Sequence, residues 1–114
     1  MPEIAFVLPV LPGKEEIDRE AMQRFAHGDE KDAFAESQRS HGITRHAVWH
    51  QETLNGTLAI VLLEADDIEK ALTGAATSND PFDERFRALV RDVHGVDLTN
   101  DPPPRVQPVI DCRF

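Results

Sequence analysis

Leu54-Asn55-Gly56-Thr57 lies between two apolar-rich runs, and no other feature of the chain restricts the fold as strongly. Asn-Gly in such a setting marks a β-hairpin, because a type I′ turn needs positive φ at both central residues. The stretch from His41 to Asp67 is therefore expected to form the middle of a β-sheet. With Asn55-Gly56 as the loop, Leu54 faces Thr57, Glu52 faces Ala59, His50 faces Val61 and His46 faces Ala65. Side chains alternate along a strand, so His46, Val48, His50 and Glu52 share one face with Ala59, Val61, Leu63 and Ala65. Arg45, Ala47, Trp49 and Gln51 share the other with Leu58, Ile60, Leu62 and Glu64. The second face is the bulkier and more apolar, and helices are expected to cover it.

The flanking segments supply those helices. Ile4 to Leu11 is an almost unbroken apolar run, which reads as a strand buried within a sheet, with Pro9 weakening its end. After the break at Pro12-Gly13, Ile17, Ala21 and Phe25 form a helical stripe with Met22 beside it. Phe34 falls about 180° away from Phe25 on an unbroken helix. A break near Gly28 and a second helix over roughly 30–40, stopped by Gly42, resolve the conflict. Asp66-Asp67-Ile68-Glu69 resembles a capping box ahead of the stripe Ile68, Ala71, Leu72 and Ala75. Asp80-Pro81 opens the last helix, where Phe82, Phe86, Leu89 and Val93 repeat at helical spacing until Gly95. Beyond Asn100 the three consecutive prolines impose an extended tail, within which Val106 to Cys112 is a candidate edge strand weakened by Pro108.

Strand, helix, strand, strand, helix and candidate strand make an α+β chain of the ferredoxin-like, split β-α-β-β-α-β kind, an antiparallel sheet with helices on one face. A length of 114 residues suits one such domain, with an extended Pro-rich tail from about residue 100. The sheet face bearing His46, Val48, His50 and Leu54 with Val61 and Leu63 is then left uncovered. An apolar face of that size suits a protein interface or a ligand groove.

Charge narrows the partners. The chain carries 21 Asp and Glu against 12 Lys and Arg, a net −9. Nucleic acids and anionic membrane surfaces both require a basic face, so neither is expected as a partner. No apolar run approaches the roughly 20 residues of a membrane span, and the N-terminus lacks the marks of a signal peptide, which leaves the cytoplasm as the expected location. Cys112 is the single cysteine, so neither an internal disulfide nor a cysteine zinc site is expected.

His46 and His50 have a spacing that would suit metal ligation on a helix. On a strand they stand roughly 13 Å apart, whereas zinc needs its ligands about 2 Å away, so no metal site is expected. Taken separately, His50 and Glu52 stand on the face expected to border a cavity. There His50 is the candidate general base, since imidazole titrates near neutral pH, and an inert interface histidine is the competing reading. Trp49 reads as core, and Arg45 with Glu64 as an ion pair at the sheet margin, weak if exposed. Asp80, Asp83 and Glu84 read as charges favoured at a helix N-terminus, and His94 fits a helix C-terminus. His27 and His41 sit at helix ends and need no special role, and Cys112 lacks the basic surroundings of a reactive thiol. Pro12-Gly13-Lys14 lacks the spacing of a phosphate loop.

The chain resembles the dimeric α+β barrel superfamily. Besides the element order, Pro12-Gly13-Lys14, His41-Gly42-Ile43-Thr44-Arg45, the turn from Gln51 to Gly56, Glu64-Ala65-Asp66-Asp67 and Ser78-Asn79-Asp80-Pro81-Phe82-Asp83 are similar to small bacterial members of unassigned function. The resemblance implies a homodimer in which two ferredoxin-like protomers pack their open sheet faces, leaving a cavity in or beside the barrel. That superfamily includes cofactor-independent monooxygenases, mutarotases, haem-degrading enzymes and binding modules, so it does not select a function. The expectation is a homodimer that holds a small, largely apolar molecule in a cavity lined by His46, Val48, His50, Glu52 and Val61, with no cofactor. The alternatives are a cofactor-independent monooxygenase or isomerase using His50 as base, and a structural dimer with no ligand.

Overall fold

The hairpin forms, two residues out of the expected register. In the computed structural model, which describes residues 2–114, its arms are β2 (Ile43–Thr53) and β3 (Gly56–Ala65). Thr53 faces Gly56, His50 faces Ala59 and His46 faces Leu63, so the loop is Leu54-Asn55. Among the described residues only glycines have positive φ, and here it falls on Gly56 at 122°, which excludes a type I′ turn. Thr53 secures the turn: its Oγ1 accepts from the Asn55 amide at 3.1 Å and donates to the Gly56 carbonyl at 2.7 Å. A shift of two residues keeps the alternation in phase, so the two face sets survive.

Beside β3 lies β1 (Glu3–Pro9), with Phe6 facing Val61 and Val7 facing Ile60. The sheet is antiparallel with order β1-β3-β2. Four helices accompany it: α1 (Glu15–His27), α2 (Lys31–Ser40), α3 (Ile68–Thr77) and α4 (Pro81–His94). This is an α+β fold with an open three-stranded sheet, compatible with a ferredoxin-like domain lacking its fourth strand. The candidate strand at 106–112 does not form. Pro102, Pro103, Pro104 and Pro108 supply no ladder donors, and none of the described residues pairs with this segment.

The helices cover the histidine face, which corrects the expectation that they cover the Trp49 face. On β3, Ala59, Val61, Leu63 and Ala65 are buried, whereas Leu58, Ile60 and Leu62 are only partly so. Trp49 is 51% exposed. The reason lies in shape and polarity more than in bulk. Ala59 and Ala65 admit close approach from above, and both strand histidines find polar partners on α1 and α2. The uncovered face carries Val7, Ile60 and Trp49 side by side in one row.

The break at Gly28 occurs where the phenylalanine spacing requires it, and it lets Phe25 and Phe34 stack at 5.3 Å between ring centroids. The buried stripe of α1 is rotated from the expected one. Asp18, Ala21 and Phe25 are buried, while Ile17 is 41% exposed. Asp67 and Asp80 cap α3 and α4 by accepting from the Lys70 and Phe82 amides, and Gly95 ends α4 in a left-handed conformation at φ 69°.

The buried apolar residues fall into three clusters. Ile43, Val61, Leu63, Ala65 and Ala71 join the sheet to α3. Val10, Ala59 and Val93 join it to the end of α4. Ala21, Phe25 and Phe82 bind the helices to each other, with Phe34 and Phe86. Among the described residues no helix is long and apolar enough to cross a membrane.

Candidate functional site

Between those clusters the sheet and the helices fail to close on one another. The gap is a cavity of about 650 Å³ whose floor is Phe6, Leu8, Val48 and Val61 from the sheet and whose roof includes Leu72, Phe86 and Leu89. Phe6, Leu8 and Val48 lie on the helix side of the sheet and yet are only half-buried, because they face this space. Pro102, Pro103 and Pro104 of the tail complete the wall. A dry void costs about 24 cal/mol per Å³, so an empty volume of this size would cost on the order of 15 kcal/mol, more than most domains have in total. The space is a pocket that solvent or a ligand fills, and its size falls within the usual range for small-molecule sites.

Polar side chains interrupt the apolar wall: Asp18, Gln38, His46 and His94 on the side of α1, α2, β2 and α4, and Glu69, Thr73, Thr99 and Asp101 towards α3 and the tail. His46 Nδ1 lies 2.8 Å from Gln38 Oε1, so Nδ1–H donates and Nε2 carries the lone pair. The ring sits beside Phe34 and Phe86, and burial lowers its pKa to about 4, so it is neutral at physiological pH. His46 therefore adds a neutral acceptor to an aromatic corner of the cavity.

At a second point in the wall is Asp18, 2% exposed. Its Oδ2 accepts from His50 Nε2 at 2.6 Å, and its Oδ1 lies 3.9 Å from His94 Nε2, too far for a hydrogen bond but within Coulomb contact. His94 Nδ1 in turn donates to the Pro9 carbonyl at 2.8 Å, which ties α4 to the end of β1. A carboxylate this deep requires a partner, and the His50 imidazole from β2 supplies the hydrogen bond.

His50 and Glu52 do not join the cavity lining. His50 lies behind Asp18 and borders a shallow depression along α1 with Arg19, Gln23 and His27, and Glu52 is exposed further along the strand. His50 Nδ1 is buried with no hydrogen-bond partner. With Nε2–H given to Asp18, a neutral ring leaves Nδ1 as a bare acceptor, the tautomer a base requires. No substrate atom can reach it without movement of the surroundings. His46, Val48 and Val61 do line the cavity.

A third polar cluster locks the helices together. The buried carboxylate of Asp83 accepts from Ser37 Oγ and from His41 Nε2, the latter at 3.0 Å. Desolvation alone would raise the Asp83 pKa, but hydrogen bonds from Ser37, Ser78 and His41 together with the His41 charge outweigh it and the net shift is downward. Asp83 is thus more than a charge at a helix start, and His41 more than a helix end. Among the described residues no group of three or more His, Cys, Asp or Glu side chains is arranged to hold a metal ion.

No protein-family model, curated protein or solved structure matches this chain. What the site can do rests on its own geometry.

Asp18 and Gln38 were not among the residues singled out from the sequence, and His94 was read only as suited to a helix C-terminus. The signal for Asp18 was faint: Asp18, Ala21 and Phe25 have helical spacing as good as Ile17, Ala21 and Phe25, but hydrophobicity favours the second set.

Proposed function

We propose that the protein binds a small, largely apolar molecule in the cavity between its sheet and its helices, and that it does so as a homodimer of the α+β barrel kind. The observation that carries this reading is the split core. Half-buried Phe6, Leu8 and Val48 face a space of about 650 Å³ and are only partly covered by the helices. A chain selected only for stability gains about 25 cal/mol for each Å² of apolar surface removed from water, and this one leaves such surface unburied. The neutral imidazole of His46 supplies one directional contact, so a ligand bearing a single hydroxyl or N–H donor fits better than a plain hydrocarbon. Homodimerisation is supported by the uncovered row of Val7, Ile60 and Trp49, which would pack face to face in a barrel.

A scan of melting temperature against hydrophobic phenols and the matching hydrocarbons tests the reading. A ligand present at a hundred times its Kd stabilises the fold by about 2.7 kcal/mol. Saturable stabilisation by the phenols, weaker with the hydrocarbons, is the expected result. No stabilisation by any apolar compound of this size would remove it.

A second reading, an isomerase or cofactor-independent monooxygenase, draws on the Asp18–His50 pair, in which a carboxylate orients an imidazole toward basic work. The burial of His50 Nδ1 weighs against it. In that reading His50→Ala, assayed at a temperature where circular dichroism shows it folded, abolishes turnover of a bound substrate while binding persists, and unchanged turnover excludes His50 from the chemistry.

A further inference from the structure

We propose that residues 106–112 dock as a strand on the free edge of β1 in a second copy of the chain, completing the sheet that the protomer leaves open. The inference rests on the homodimer reading above.

Three observations lead to it. First, β1 is an edge strand, with β3 on one side and nothing on the other. Half of its backbone N–H and C=O groups point outward unpaired, a template for another strand. Second, the tail has the period of a strand. Val106, Pro108, Ile110, Cys112 and Phe114 alternate with Arg105, Gln107, Asp111 and Arg113, and only Val109 departs from the pattern. Third, this amphipathic segment has no partner in the protomer. Val106 is 49% exposed, Ile110 78% and Phe114 fully exposed, and residues 102–114 make no backbone hydrogen bond to any of the described residues.

The acceptor is a second copy and not the chain's own β1. After α4 the chain runs to the end of α3, where Thr99 Oγ1 donates to the Ala76 carbonyl at 3.0 Å. Pro102, Pro103 and Pro104 then form part of the cavity wall. These prolines border the same cavity as Phe6, Val7 and Leu8 of β1, and yet among the described residues the chain beyond them makes no backbone hydrogen bond to that strand and stays exposed, so the protomer leaves both the edge and the tail open. Charge favours a partner as well. Residues 105–114 carry two arginines against one aspartate, in a chain of net charge −9. Docking in this way also anchors the proline arm at its far end, which couples the partner to the wall of the ligand cavity.

Hydrogen exchange of the full chain, read by mass spectrometry over a dilution series alongside light scattering, tests the proposal. In the dimer, amides at 106–112 and along β1 should exchange at least tenfold more slowly than in the dilute monomer. Ile110→Asp should remove that protection and weaken dimerisation at least tenfold, with no change in melting of the monomer, where Ile110 is 78% exposed. A stable wild-type dimer whose tail exchanges at the rate of free peptide overturns strand exchange and leaves the dimer standing. Protection that persists unchanged in the dilute monomer assigns the edge to the chain's own tail and also overturns it. A chain that stays monomeric throughout removes both this proposal and the homodimer.

Discussion

The Asp18 carboxylate and the His50 imidazole meet at 2.6 Å, and Asp18 has almost no contact with solvent. The pair links α1 to the edge strand β2, on the face of the sheet that the helices cover. Removing its two members should have unequal effects. His50→Ala leaves a buried carboxylate with only His94 nearby and should cost about 3–5 kcal/mol. Asp18→Asn keeps an acceptor for His50 and should cost about 1–2 kcal/mol. Urea unfolding of the two variants gives the comparison, and equal losses would mean that the carboxylate has other compensation.

His46 makes stability depend on pH. Its folded pKa of about 4 lies below the ordinary value of 6.5, so between these pH values the unfolded chain binds a proton that the folded chain does not. Stability is therefore full above about pH 6.5 and falls as pH drops toward 4. The upper bound is about 3 kcal/mol, from 1.36 kcal/mol per pKa unit. In His46→Phe the slope of unfolding free energy against pH over this window should flatten. Asp83, whose pKa is also lowered, contributes a further loss only at lower pH, as the solution becomes acidic enough to protonate a hydrogen-bonded carboxylate.

Gly74 in α3 should resist a substitution that helix propensity favours. Glycine to alanine inside a helix ordinarily gains about 1 kcal/mol. Here a Cβ would stand 2.5 Å from His41 Nδ1, and the ring cannot swing freely because Nε2 is bonded to Asp83. Gly74→Ala should therefore destabilise the protein by about 1–3 kcal/mol, the cost of unsatisfying a buried polar group. In a His41→Ala background the same change should become neutral or stabilising. Thermal unfolding of the four proteins of this cycle measures the coupling.

Trp49 should matter to association and not to folding. It is half exposed beside Ile60 and Val7 on the uncovered face. Trp49→Lys should convert the dimer to monomer in light scattering while the monomer's unfolding free energy changes by less than about 1 kcal/mol, as for other surface changes. An unaltered dimer would place the interface elsewhere.

Much of the fold was legible because local signals and the global pattern agree. The Asp-capped helices, the break at Gly28 and the hairpin itself all follow from residue chemistry that acts within a few positions. The hairpin loop was displaced because Thr53 forms side-chain bonds that favour a turn at Leu54-Asn55, a detail that the Asn-Gly rule ignores. The covered face was misjudged for a longer-range reason. His50 and His46 read as polar residues suited to an open surface, and only the folded chain brings Asp18 and Gln38 to them. The Ser37–Asp83–His41 cluster was equally hidden, since Asp83 lies more than 40 residues from Ser37 and His41 and a local explanation suffices for Asp83 and His41 alike.

The cavity between the sheet and the helices is the centre of the proposed function. Titration of the isotope-labelled protein with 1-naphthol, followed by amide and methyl chemical shifts, tests it most directly. The expected result is saturable shifts at Phe6, Val48, Leu72 and Leu89, which surround the cavity, and their loss in Ala76→Phe, where a ring fills the space beside the proline arm. Shifts confined to Trp49 and Ile60 on the uncovered face, or none that saturate, would contradict it.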